Sequence, residues 1–139
     1  VIYAYELTIP PQTTADAPET LTVRLSHGIL ERLEVQFPNG CAGQVGVQIY
    51  FHTHQVFPTN PDHWFVSDGY TIAFDESFDL TSPRYEMELR GYNLFDDYPH
   101  TVYFRFGVTN VSETLAQKIA RLWRGGSVIP AITLPGVEE

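Results

Sequence analysis

Apolar side chains recur at every second position in short runs along most of this chain, and Pro, Gly, Asn and Asp punctuate the runs. That pattern suits half-buried strands, because successive side chains of a strand point to opposite faces. The longest run opens VGVQIYFHTHQVFPTNPDHWFVSD, Val45 to Asp68. Val45, Val47, Ile49, Phe51 and Phe57 fall on one face of a long strand candidate, with Gln48, Tyr50, His52 and His54 on the other. Pro58-Thr59-Asn60-Pro61 then breaks the strand, and Trp64-Phe65 brings large apolar groups back toward the body.

The remaining runs could pair with this one. Ile2 to Ile9 sets Tyr3, Tyr5, Leu7 and Ile9 on one face and stops at Pro10-Pro11. Leu21 to His27 points Leu21, Val23 and Leu25 inward. From Ile29 to Phe37, Ile29, Leu33, Val35 and Phe37 share a face that Glu31 interrupts, which leaves the register open. Asp68-Gly69 is a turn signal before a strand at Tyr70 to Phe74, and Asp75 to Pro83 reads as polar and irregular. Tyr85, Met87 and Leu89 alternate with Glu86, Glu88 and Arg90, Gly91 to Pro99 reads as a loop, and His100 to Val108 buries Val102, Phe104, Phe106 and Val108. About seven or eight short strands with frequent turns predict an all-β domain over residues 1–110, an antiparallel β-sandwich or jelly roll.

Two further elements follow in the sequence. Asn110 and Glu113 stand in capping-box relation, and Leu115, Ile119 and Leu122 form a stripe that Ala116, Ala120 and Trp123 widen. The spacing predicts one C-terminal helix within 111–126, closed by Gly125-Gly126. Residues 127–139, SVIPAITLPGVEE, predict an extended apolar arm, since Pro130 and Pro135 bar an ordinary central strand. Trp123, Val128, Ile129, Ile132 and Leu134 are the candidate interface residues, on the expectation that helix and arm meet a neighbouring subunit.

Charge and cysteine content narrow the partners. Eight basic residues against seventeen acidic ones give a formal charge of −9, which argues against direct contact with a nucleic-acid backbone. No apolar run is long enough to span a bilayer, so no membrane partner is expected. A single cysteine, Cys41, rules out an internal disulfide framework, and its turn-like setting suits a packed, inert thiol.

Chemistry-bearing patterns are sparse. Gly46 followed by His52-Thr53-His54 resembles the first half of the cupin metal motif, where two histidines of one strand share a metal. The Glu that should follow is missing, and His63 or His100 would have to supply a third ligand. His52 and His54 are therefore an incomplete pair, and neither a metal nor a cofactor is expected. Asp75, Glu76, Asp79, Asp96 and Asp97 carry calcium-type oxygens at spacings that match no calcium loop. Asn110-Val111-Ser112 is a glycosylation sequon that helix capping also explains. Glu86 and Glu88 stand at alternate positions of a strand with one wet face, where solvated carboxylates are poor candidates for acid–base catalysis. No nucleophile arrangement or phosphate loop appears, so no catalytic residue is assigned. Tyr50, Trp64, Tyr92, Tyr98 and Trp123 could build an aromatic platform for sugars, or serve the core and subunit interfaces.

Short segments between Leu21 and Val108 carry a resemblance. Gly28-Ile29 with Glu34-Val35 and Phe37-Pro38, Gly40-Cys41, His54-Gln55-Val56-Phe57-Pro58-Thr59-Asn60, Ser67-Asp68 and Tyr98-Pro99-His100-Thr101-Val102 resemble small all-β virion proteins of tailed phages. Decoration or cementing subunits of capsids belong to that group. The resemblance implies a non-enzymatic structural protein of the virion and a homo-oligomer, the trimer being a frequent form. It also implies docking on a shell of major capsid protein. A carbohydrate-binding β-sandwich module and a cupin-like metal-binding protein are the alternatives.

Overall fold

The computed structural model describes residues 1–110. The expected helix at 111–126 and arm at 127–139, with Trp123, Val128, Ile129, Ile132 and Leu134, lie outside the described residues. Nine strands follow in order: β1 (Ile2–Ile9), β2 (Glu19–Arg24), β3 (Gly28–Gln36), β4 (Val45–Phe51), β5 (His54–Phe57), β6 (Phe65–Val66), β7 (Thr71–Leu80), β8 (Glu86–Asn93) and β9 (His100–Asn110). They build two antiparallel sheets, so the all-β class read from the alternation is what the chain adopts. The first sheet runs β1-β9-β3-β7 and the second β2-β8-β4-β5, with β6 added to β4.

The pairing is nested along the chain. Leaving β6 aside, β1 pairs with β9, β2 with β8, β3 with β7, and β4 with β5. β4 is flanked on one edge by β8 along its whole length. Its other edge is divided, with β6 opposite Gly46 and Val47 and β5 opposite Ile49 to Phe51. The Pro58–Trp64 segment leaves the sheet between those two short strands.

The apolar faces of both sheets meet in one buried cluster. Leu7, Ile9, Leu33, Val35, Val102, Phe104 and Phe106 come from the first sheet, and Val23, Val45, Val47, Ile49, Met87 and Leu89 from the second. Alternation puts them there, and each fully buried aliphatic or aromatic contributes roughly 1.5–3 kcal/mol. Phe57 and Phe65 on the second sheet pack against Phe74 on β7, with ring centroids 5.5 and 5.9 Å apart, and Phe51 meets Phe78 at 5.2 Å. The β1–β2 flank is closed differently. The Tyr5 hydroxyl donates to the Arg24 carbonyl, and Gly91 lets Ile9 approach so closely that a Cβ there would lie 2.4 Å from Ile9 Cδ1.

Several expected boundaries move. Val45 to Phe57 is a hairpin, not one strand: Phe51 pairs with His54 across His52-Thr53, and His52 takes φ of 58°. Phe51, last before that turn, is only half-buried. Leu21 sits on the edge strand β2 and is 37% exposed, so it is not a core residue. The interruption at Glu31 is a register shift between Leu30 and Arg32, which turns Leu30 inward in place of Ile29. β7 continues through Asp75-Glu76-Ser77 to Leu80 because β3 pairs with it across the shift. β8 runs on to Asn93, which is fully buried; its Nδ2 donates to the carbonyls of Ile9 at 3.1 Å and Tyr98 at 2.8 Å.

Candidate functional site

Large half-buried side chains gather on the outer face of the second sheet. Its two central strands present Gly46, Gln48 and Tyr50 from β4 against Tyr92, Arg90 and Glu88 from β8, paired in that order. Gly46 has no side chain, so the Tyr92 ring lies across its backbone; a Cβ on residue 46 would stand 2.3 Å from Tyr92 Cε2. Trp64 meets Tyr92 edge to face at 4.8 Å. Burial pushes the Tyr92 phenol above its ordinary pKa. One step along the strand pair, the Arg90 guanidinium lies 3.8 Å from the centre of the Tyr50 ring, and its Nη2 donates to Glu88 Oε1 at 3.2 Å.

Trp64 is held by amide side chains rather than by a strand. The Pro58–Trp64 segment leaves backbone groups without ladder partners. Gln55 Nε2 reaches the carbonyls of Pro58 at 2.8 Å, Asn60 at 3.0 Å and His63 at 3.3 Å, while its Oε1 accepts from the Asp62 N–H at 3.0 Å. Gln48, 4% exposed, donates to the His63 carbonyl at 2.8 Å and to Gln55 Oε1 at 3.2 Å. Two glutamines from β4 and β5 thus fix the backbone immediately before Trp64.

Beyond Glu88 the same sheet ends in an open cleft of about 320 Å³, lined by Thr22, His52, Arg84, Glu86 and Glu88. Arg24 Nε stands 3.5 Å from Glu86 Oε2. Cations and carboxylates therefore alternate and pair along this edge.

The sequence candidates scatter. His52 lies in the turn and His54 opens β5, both exposed, so they do not share one strand face as the motif supposes. Among the described residues no three His, Cys, Asp or Glu side chains form a group able to hold a metal. Asp75 and Asp79 belong to β7, not a loop: Asp75 pairs with Arg32 at 3.0 Å, and Asp79 Oδ1 accepts from the Thr81 N–H at 2.8 Å. Tyr50, Trp64 and Tyr92 come together, whereas Tyr98 stands in the loop after β8, 66% exposed. Glu86 and Glu88 are half-buried partners of Arg24 and Arg90.

Cys41 is buried as expected, but beside groups that are distant in sequence. Its Sγ donates to the Pro38 carbonyl at 3.3 Å and lies 3.9 Å from His100 Nδ1. Asp68 accepts from the N–H groups of Gly40 and Cys41 at 2.8 and 3.2 Å. Burial, and then the Asp68 charge, push the thiol up to about 11. It is protonated at neutral pH, so this neighbourhood does not make a thiolate nucleophile. The sequence reading missed Arg90, Gln48 and Gln55 as site residues. The signal that could have found Arg90 is its alternation with Glu86 and Glu88, extended across the strand pair to Tyr50. No protein-family model matches the chain, and no curated protein matches it.

Proposed function

We propose that this chain is a non-enzymatic structural subunit of a virion, a decoration or cementing type protein that self-assembles and docks on a shell of major capsid protein. The observation that carries the reading is the nested strand order, β1-β9-β3-β7 facing β2-β8-β4-β5. A long antiparallel hairpin wound on itself produces that order, and the double-sheet jelly roll of two Greek keys is a β-sandwich of this kind. Capsid proteins use that fold repeatedly; lectin domains and cupins use it too, so fold alone is an analogy. The cupin-like alternative depends on His52 and His54 sharing a strand face, and a turn separates them.

Surface features support association. Val1 and Ile2 are 64% and 76% exposed at the start of β1, and Tyr103 on the neighbouring β9 is 41% exposed. Among the described residues no strand pairs with the free edge of β1. The aliphatic residues Val128, Ile129, Ile132 and Leu134, interrupted by Pro130 and followed by Pro135 beyond Gly125-Gly126, suit an arm that fills a neighbour's groove.

Light scattering on the full chain and on a chain lacking residues 126–139 tests this. The full chain should give a discrete oligomer, and the shortened one should keep its β circular dichroism while shifting to smaller mass. A monomeric full chain, or unchanged assembly after the deletion, contradicts the proposal.

A further inference from the structure

We propose that the outer face of the β2-β8-β4-β5 sheet binds a neutral oligosaccharide, with Trp64, Tyr92 and Tyr50 against sugar rings and Arg90 and Glu88 addressing hydroxyls. The inference stands on this face alone and is independent of the assembly reading.

A sugar ring offers a flat patch of C–H bonds and a rim of hydroxyls. Its complement is an accessible aromatic face beside planar groups that donate and accept hydrogen bonds. Tyr92, Arg90 and Glu88 point outward from β8 at positions two apart, which recur about every 6.8 Å, so the row offers contacts along several linked rings. Trp64 stands at the Tyr92 end, and the cleft with Thr22, His52 and Glu86 continues the row beyond Glu88. Trp64, Tyr50 and Tyr92 are each half-buried, and Arg90 covers one face of the Tyr50 ring, so the three rings are held in place while part of each stays within reach.

Charge selects the class of ligand. Arg90 is paired with Glu88 and Arg24 with Glu86, and Arg84 adds a single further cation in the cleft, so the row carries no cluster of like charge to attract a polyion. The formal charge of −9 further disfavours a polyanion. The Arg90 side chain is 31% exposed, so the reachable part of its guanidinium keeps a planar donor in the middle of the row, while the buried Nε has no acceptor among the described residues. A protein partner would fit less well. Interface centres are depleted of charged residues, and here Arg24, Arg90, Glu86 and Glu88 interleave with the aromatics. Pre-organisation adds to the case, because the Gln48–Gln55 brace fixes the backbone before Trp64, so less ordering entropy opposes binding.

The test is calorimetric titration of the full chain with cellohexaose, xylohexaose, maltohexaose and chitohexaose, with a heparin hexasaccharide as the polyanionic comparison. At least one neutral hexasaccharide should bind. Tyr50→Ala and Trp64→Ala should each weaken it about tenfold, with Trp64→Phe restoring most of the loss. Tyr103→Ala, on the other sheet, should leave affinity unchanged. Circular dichroism confirms that each variant is folded. Binding to none of the neutral sugars, binding to heparin alone, or an affinity that survives Tyr50→Ala overturns the proposal. So does a result in which Tyr50→Ala and Trp64→Ala weaken self-association and no sugar binds, since that makes the face a subunit contact.

Discussion

The outer faces of the two sheets are built from the same strand geometry and differ in what they do with charge. On the first sheet, Arg105 Nε donates to Glu34 Oε1 at 2.7 Å, Arg32 joins Glu34 at 3.1 Å and Asp75 at 3.0 Å, and Arg105 Nη2 reaches Gln36 at 2.9 Å. That ladder joins cations to carboxylates and one amide, and among the described residues no aromatic ring is stacked on its arginines. On the second sheet Arg24 pairs with Glu86, while Arg90 stacks on Tyr50 and leaves its Nε without an acceptor among the described residues. Trp64 and Tyr92 stand beside it. The contrast teaches that one face is a wall of ion pairs, while the other sets braced aromatic rings among its ion pairs. A face arranged in that way is the better candidate for recognition.

The sharpest way to break the comparison is to add one methyl group to each face. Gly46→Ala on the second sheet forces its Cβ into the Tyr92 ring, 2.3 Å away, whereas at Gly107 on the first sheet the nearest atom would be Arg32 Cβ at 3.4 Å. We expect Gly46→Ala to destabilise by about 1–3 kcal/mol through displaced Tyr92 and Trp64. Gly107→Ala should change stability by less than about 1 kcal/mol. Urea denaturation of both variants measures the difference; equal effects would mean that Tyr92 is not held against Gly46.

A smaller effect is expected from the brace. Gln55→Ala leaves the carbonyls of Pro58 and Asn60 and the Asp62 N–H without their partner, a loss of about 1–3 kcal/mol that exposure of the loop to water will reduce. Hydrogen exchange should quicken in residues 58–66 and stay unchanged in β3 and β9. Uniform quickening would show that the loop is not a separate unit.

The smallest effect belongs to the wall. The hydrogen bond from Arg105, followed by that from Arg32, holds the Glu34 carboxyl below its ordinary value of 4.5. A folded pKa below the unfolded one contributes stability that is present above the unfolded value and lost as pH falls through the folded one. Glu34→Gln should therefore lower the melting temperature slightly at neutral pH, and the gap should narrow as pH falls below the ordinary value of 4.5. A gap that widens on acidification would contradict the ladder.

The core was largely legible in the sequence, because burial follows alternation: Val47, Ile49, Met87, Leu89, Val102, Phe104 and Phe106 are all buried where period two puts them. Turns without Gly, Pro or Asn were not legible. His52-Thr53 carries no such residue, and the hairpin there is visible only through the pairing of Phe51 with His54. The shift at Leu30 and Arg32 was hidden for a related reason, since an extra strand residue leaves no compositional mark. Of the candidate site, the aromatic residues were in view but not their neighbourhood. That Tyr92 crosses Gly46 and Arg90 covers Tyr50 depends on the register between β4 and β8, whose members are more than thirty positions apart in sequence. Cys41, His100 and Asp68 likewise meet only through folding.

The claim that the second sheet carries the recognition face is tested most directly by nuclear magnetic resonance of the full chain titrated with the tightest-binding neutral hexasaccharide. The side-chain signals of Arg90 Nε, the Trp64 indole N–H and the Gln48 amide report on one face, and those of Arg32 and Arg105 Nε on the other. The account predicts saturable shifts at Arg90, Trp64 and Gln48 with Arg32 and Arg105 unmoved. Shifts confined to Arg32 and Arg105, or spread equally over both faces, would contradict it.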